Sequence, residues 1–169
     1  INKKVYNWNW YERNAAKNAM DSFSEVSNLT FTRTQSTNNN ITWVTGDNDS
    51  MSGYLGIAQP PEYGENSFFG GDKKYCGNTA INRSGYISNI ESGSLNIGGY
   101  YAAIFTHELG HSLGLKHPHD EFGYSEYKIF PGVINGDMGN KNLNQQAYSI
   151  MSYNDTSSDF NPSQEIYNG

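Results

Sequence analysis

Residues 107–117 read His107-Glu108-Leu109-Gly110-His111-Ser112-Leu113-Gly114-Leu115-Lys116-His117, and this stretch decides how the rest of the chain is understood. It holds three of the four histidines in 169 residues. Phe105, Leu109 and Leu113 recur at i, i+4 and i+8, which predicts a helix from about Gly99 to Leu113 with those side chains toward a core. Residues four apart lie one turn apart on the same helix face. His107 and His111 can therefore point their imidazoles at one ion, ~2.0–2.1 Å from each nitrogen. Glu108, one position on from His107, places its carboxylate beside such an ion and not on it, where it can accept a proton from a water. Gly114 suits the left-handed residue that ends a helix, and a chain that turns there can bring back His117 as a third imidazole. Three neutral nitrogens leave a fourth position open, as catalytic sites do, and imidazole ligands favour zinc over calcium or magnesium. A purely structural zinc would leave Glu108 without a task.

Outward from this helix, residues 11–23 carry Tyr11, Ala15, Ala19 and Phe23 on one apolar stripe, with Ala16 and Met20 alongside, and predict an N-terminal helix. Leu29–Arg33 alternates as a half-buried strand does, and Ile41–Thr45 is a β-rich run ended by Gly46. Tyr54–Ala58 predicts a further strand, stopped by Pro60-Pro61, and a short strand is expected at 78–82. Residues 62–74 read as a Gly- and charge-rich loop. From 116 to 148 periodicity is lost, and a segment this long without regular structure is expected to be functional or held by a bound metal.

Composition bounds the remaining options. Hydrophobic residues make up 36% and charged residues 17%, with a net charge of −6. Polyanion binding needs a basic face, so nucleic acid is not an expected partner. No apolar run reaches the ~18–20 residues that span a bilayer. The single Cys76 excludes an internal disulfide and a paired-cysteine metal or redox site, and is expected to be a packed bystander. The chain starts at Ile1 without a Met, a basic n-region or an apolar h-region, and reads as a mature or excised piece. Asp47, Asp49 and Asp137 lie in Gly/Asn-rich stretches without an EF-hand pattern; solvated turns are expected, with calcium left open and no ligand set identified. His119 is expected to be a loop histidine and not a further ligand.

The long histidine motif resembles that of the metzincin clan of zinc endopeptidases, and Ser149-Ile150-Met151-Ser152-Tyr153 is similar to the clan's Met-turn. His117-Pro118 together with Met151-Ser152-Tyr153 resembles the serralysin family of bacterial secreted proteases. Matrixins share the motif up to the third histidine but lack the tyrosine; astacins have the tyrosine but usually Glu after that histidine. A helix followed by Asn28–Phe31, and the run Gln145–Met151, are also similar to serralysin segments. Two departures stand out. No Gly/Asp-rich calcium-binding nonapeptide repeats are present, and Phe160–Gly169 is too short and Pro-broken for the helix that closes the serralysin catalytic domain.

The resemblance implies an α+β, zincin-like metzincin fold. It comprises a twisted mixed β-sheet, an N-terminal helix, an active-site helix and a mostly irregular C-terminal subdomain. Residues 1–169 would form a single metalloprotease catalytic domain, with an upper subdomain over about 1–115 and a lower one over about 116–169. The implied activity is that of a secreted zinc-dependent endopeptidase. His107, His111 and His117 would hold one catalytic zinc, joined at rest by Tyr153, above an apolar floor made by Met151. Glu108 would be the general base, and Tyr153 would swing away and donate a hydrogen bond to the developing oxyanion. Tyr54, Leu55, Gly56, Ile57 and Ala58 are the candidate edge strand for pairing with an extended substrate. Residues 118–148 would wall the pocket beyond the scissile bond. The implied partners are a protein or peptide substrate and further domains of a larger parent chain. A monomer is expected, secreted or at the cell surface. Two rival readings are a protease restricted to self-processing and a non-catalytic, zinc-stabilised binding module suited to the Tyr-, Trp- and Asn-rich composition. Intact Glu108 and Tyr153 argue against the second.

Overall fold

The computed structural model describes residues 4–36, 38–61, 77–120, 130, 132–133 and 136–156. The expected loop at 62–74, Cys76 and the Phe160–Gly169 tail lie outside these residues, as does part of the 118–148 segment.

Helix α1, Trp10–Val26, extends the predicted 11–23 at both ends. Its start is fixed by a capping box: Asn9 accepts from the Glu12 backbone N–H at 3.0 Å, and Glu12 accepts from the Asn9 N–H at 2.8 Å. Ala15, Ala16 and Ala19 are buried, and these small side chains let the helix backbone approach its neighbours closely. Glu12 is itself fully buried, which requires partners for its carboxylate. Tyr86 supplies a hydroxyl at 3.0 Å and Arg83 a guanidinium nitrogen at 3.3 Å.

Strand β1 is Thr42–Gly46, a short helix α2 is Asn48–Met51, and strands β2 and β3 are Gly56–Ala58 and Asn78–Asn82. The sheet order is β1-β3-β2. β1 runs parallel to β3, with Thr42 opposite Asn78 and Gly46 opposite Asn82; β2 runs antiparallel to β3, with Gly56 opposite Ile81 and Ala58 opposite Thr79. β3 lies in the middle, and its Ala80 and Ile81 are fully buried. Helices and a small mixed sheet make an α+β fold, as the resemblance implies.

Two strand expectations need correction. Leu29–Arg33 forms no strand. Around it, hydroxyls capture the backbone donors: Leu29 N–H bonds to Ser27 Oγ, and Ser36 N–H to Thr34 Oγ1. Such local bonds compete with a sheet ladder. Phe31 still packs against the core, so the apolar half of the alternation was informative and the ladder was not. The strand at 54–58 shortens to Gly56–Ala58, because the Asn82 side chain takes the Tyr54 carbonyl at 2.9 Å.

Helix α3, Tyr100–Ser112, matches the predicted active-site helix to within a residue at each end. Its first turn has no side-chain cap; the Ser94 carbonyl accepts from Tyr101 and Ala102 N–H, both at 3.1 Å. Phe105 is fully buried, stacks on Trp43 with ring centroids 5.5 Å apart, and meets Trp8 edge-on at 5.9 Å. Leu109, Ile81, Tyr86 and Leu95 join the α1 alanines in this core.

The chain forms two compact units, Ile1–Leu115 and Lys116–Gly169. All strands and α-helices named above belong to the first. The second has one short 3-10 turn, Asn140–Asn142, among its described residues and is otherwise irregular. Buried Asn144 organises it. Its Nδ2 donates to the Asp137 carbonyl at 2.7 Å, and its Oδ1 accepts from Ser152 Oγ at 2.8 Å.

Candidate functional site

The last turn of α3 sets how its two histidines are oriented. Gly114 has φ +97°, a left-handed conformation that L side chains rarely adopt. This residue closes a Schellman turn: Gly114 N–H bonds to the His111 carbonyl and Leu115 N–H to the Gly110 carbonyl, each at 2.9 Å. The same turn folds the Leu115 carbonyl back to 2.9 Å from His111 Nδ1. A carbonyl can only accept, so Nδ1 carries the proton and Nε2 presents its lone pair.

That lone pair points at His107. The two Nε2 atoms are 3.1 Å apart and the rings are nearly perpendicular, at 82°. Two imidazole nitrogens at this separation need a proton or a cation between them. The spacing is close to the ~3.3 Å edge of a tetrahedron with ~2.0–2.1 Å bonds, so the pair fits zinc. His107 and His111 thus come together as the sequence predicts for residues four apart.

Glu108 sits on the same helix at 7% exposure, and burial alone pushes its carboxyl up to about 8, a shift that a cation held beside it would oppose by favouring the ionised form. Strand β2 lies directly against it. A Cβ built on Gly56 would fall 2.5 Å from Glu108 Cγ and Oε1, so only glycine leaves the carboxylate its place. Beneath the helix, Thr79 Oγ1 of β3 and Ser112 Oγ are 2.5 Å apart, a buried bond that ties the central strand to the last turn.

The second unit collects other predicted residues. His117 has 15% side-chain exposure, and its Nδ1 lies 3.0 and 3.1 Å from the two Asp120 carboxylate oxygens. The Tyr153 ring centroid is 4.3 Å from that of His117. Tyr153 itself is 64% exposed, whereas Met151 and Ser152 are buried. Ser149 shapes the turn through its hydroxyl, which accepts from Met151 N–H at 3.2 Å, and its carbonyl, which accepts from Ser152 N–H at 3.0 Å.

Of the weaker candidates, β2 ends the three-stranded sheet, with Tyr54 and Leu55 exposed just before it and Gly56, Ile57 and Ala58 within it. His119 is half-buried and not a free loop side chain: its ring stacks on His117 at 5.2 Å and lies 5.3 Å from Tyr153. Asp47 caps α2, accepting from Ser50 N–H at 2.9 Å and from the Tyr6 hydroxyl at 2.8 Å. Asp137 accepts from Gly139 N–H within its own turn. Neither joins a shared-ion cluster among the described residues. Asp120 and the Thr79–Ser112 bond went unnoticed in the sequence. The spacing His117-Pro118-His119-Asp120, an acid three residues past a candidate ligand, was the available signal for the first; the second pairs distant hydroxyls and left none.

The matrixin profile of the M10 peptidases matches residues 7–129, most of the chain. The chain belongs to the M10 peptidase family. This M10 domain is serralysin-like. It is 25% identical over 168 residues to a serralysin of Proteus mirabilis, covering 90% of this chain and 30% of that protein. It is 30% identical over 147 residues to a serralysin of Photorhabdus luminescens, covering 86% of this chain and 27% of that protein. Dictomallein of Burkholderia mallei is 29% identical over 84 residues, covering 46% of this chain and 12% of that protein. The chain therefore spans under a third of the length of the curated relatives it matches. M10 peptidases are zinc metalloproteases, and the imidazole donor set here is of the kind they use. No helix among the described residues is long and apolar enough to cross a membrane.

Proposed function

We propose that this M10 domain is a secreted zinc endopeptidase whose metal is held by His107, His111 and His117, with Tyr153 joining at rest. The reading rests on one observation above others: two imidazole Nε2 atoms 3.1 Å apart, on the same helix as a buried carboxylate. Zinc, when bound, supplies Lewis-acid chemistry, acidifying water and polarising the scissile carbonyl. Glu108 takes the water's proton on a carboxylate oxygen and passes it to the departing amine nitrogen. Its burial keeps that oxygen from bulk water, and the space at Gly56 fixes where it stands. Tyr153 donates its hydroxyl proton in a hydrogen bond to the oxyanion, and its exposure leaves room for the phenol to move. Met151 lies buried beside it as the apolar floor.

Strand β2 offers main-chain groups to an extended peptide, because its outer edge has no strand partner among the described residues. The substrate is accordingly an extended, unstructured protein segment. Both compact units belong to one catalytic domain in this reading, and that domain is part of a longer secreted chain. The test is hydrolysis of casein by wild type and Glu108→Ala, with zinc quantified in both. About one zinc in each sample, with cleavage by wild type alone, is the expected result. Zinc in both with no cleavage by wild type would overturn the endopeptidase reading and favour a binding module.

A further inference from the structure

We infer that Asp120 is a positioning residue for the third zinc ligand: it locks the ring of His117 so that Nε2 is the coordinating nitrogen. The inference rests on the zinc reading above and extends it to a residue outside the histidine motif. Three contacts, all within one four-residue turn, carry it. Asp120 N–H donates to the His117 carbonyl at 3.1 Å, which closes a β-turn with Pro118 at its second position. Proline presets the backbone dihedral that this position requires. The Asp120 carboxylate then reaches back, accepting from the His117 backbone N–H at 2.9 Å through Oδ2. Finally, both carboxylate oxygens lie 3.0–3.1 Å from His117 Nδ1.

An ionised carboxylate is acceptor-only, so the proton of the neutral imidazole must reside on Nδ1. The tautomer is thereby set with the Nε2 lone pair outward. The negative charge behind the ring also strengthens the bond that Nε2 makes to a cation. His111 reaches the same tautomer through the neutral Leu115 carbonyl. His117 sits in an irregular segment with no helix to aim it, and a bidentate, charged clamp replaces the missing rigidity.

The test is zinc affinity by competition with a chromophoric chelator, on wild type, Asp120→Ala and Asp120→Asn. Circular dichroism of each metal-free sample reports the fold. Loss of a carboxylate behind a histidine ligand weakens metal binding by ~10–100-fold. We expect Asp120→Ala in that range. Asp120→Asn keeps an oxygen for both N–H groups but loses the charge, and should fall between wild type and Asp120→Ala. This graded order is what a merely structural role would not produce. If Asp120→Ala fails to fold, Asp120→Asn still decides the matter through the charge. Zinc affinities within twofold of wild type in the folded variants would overturn the inference while leaving the zinc site standing. Absence of zinc binding by wild type would sink both.

Discussion

At the scale of single residues, the site depends on what two glycines permit. Gly56 lies where any Cβ would overlap Glu108. Gly56→Ala should keep its zinc yet lose activity by roughly 10²-fold, since a displacement of about 1 Å at a reacting group costs that much. Casein turnover alongside zinc content checks this, and wild-type turnover in the variant would dismiss the steric account. Gly114 differs in kind, because its constraint is the left-handed backbone and not space. Gly114→Ala should lose about 1–2 kcal/mol of stability to urea. It should also weaken zinc binding, since the turn that it closes delivers the Leu115 carbonyl to His111. The approach of His107 to His111 was legible because an i, i+4 spacing on a helix is a one-dimensional pattern. Asp120 was not, because its meaning lies in a turn whose closure only the folded backbone reveals. Gly56 looked like an ordinary strand residue until Glu108 stood against it.

Among elements, α3 was readable to within a residue at each end because periodic apolar positions and a terminating glycine agree. Phe105 is its deepest anchor, in contact with Trp8 and Trp43. Phe105→Ala should destabilise the chain by about 3–5 kcal/mol, read as a lower thermal midpoint. A loss under 1 kcal/mol would mean that the aromatic cluster is not the core. The segment at 29–33 misled because alternation identifies a side chain that packs, here Phe31, but does not supply a neighbouring strand. Helix α2 carries a pH signature. Hydrogen bonds from Ser50, side chain then backbone, and from Tyr6 hold the Asp47 carboxyl down at about 2. A carboxyl lowered by folding contributes stability above its unfolded value near 4, and that contribution is lost as pH falls through 2. Asp47→Asn should therefore flatten the acid limb of the stability profile between those values. An unchanged limb would show that the cap does not matter.

For the molecule as a whole, regular structure among the described residues is concentrated in the first unit, while the described part of the second relies on turns and buried amides such as Asn144. That contrast was foreseeable from the loss of periodicity after Gly114. How the irregular part holds itself was not, because side-chain to backbone bonds leave no periodic trace. A segment held this way gains from a bound metal, since a ligand that binds only the folded state adds stability by mass action. Adding zinc to the metal-free chain should raise the melting temperature in a zinc-concentration-dependent way, and removal by a chelator should reverse it. The central claim, one hydrolytic zinc per chain, is tested most directly by titrating the metal-free protein with zinc while following casein cleavage. Activity should be absent at the start, rise linearly and stop rising at one equivalent. Cleavage that persists without zinc, or zinc binding that brings no cleavage at any ratio, would contradict it.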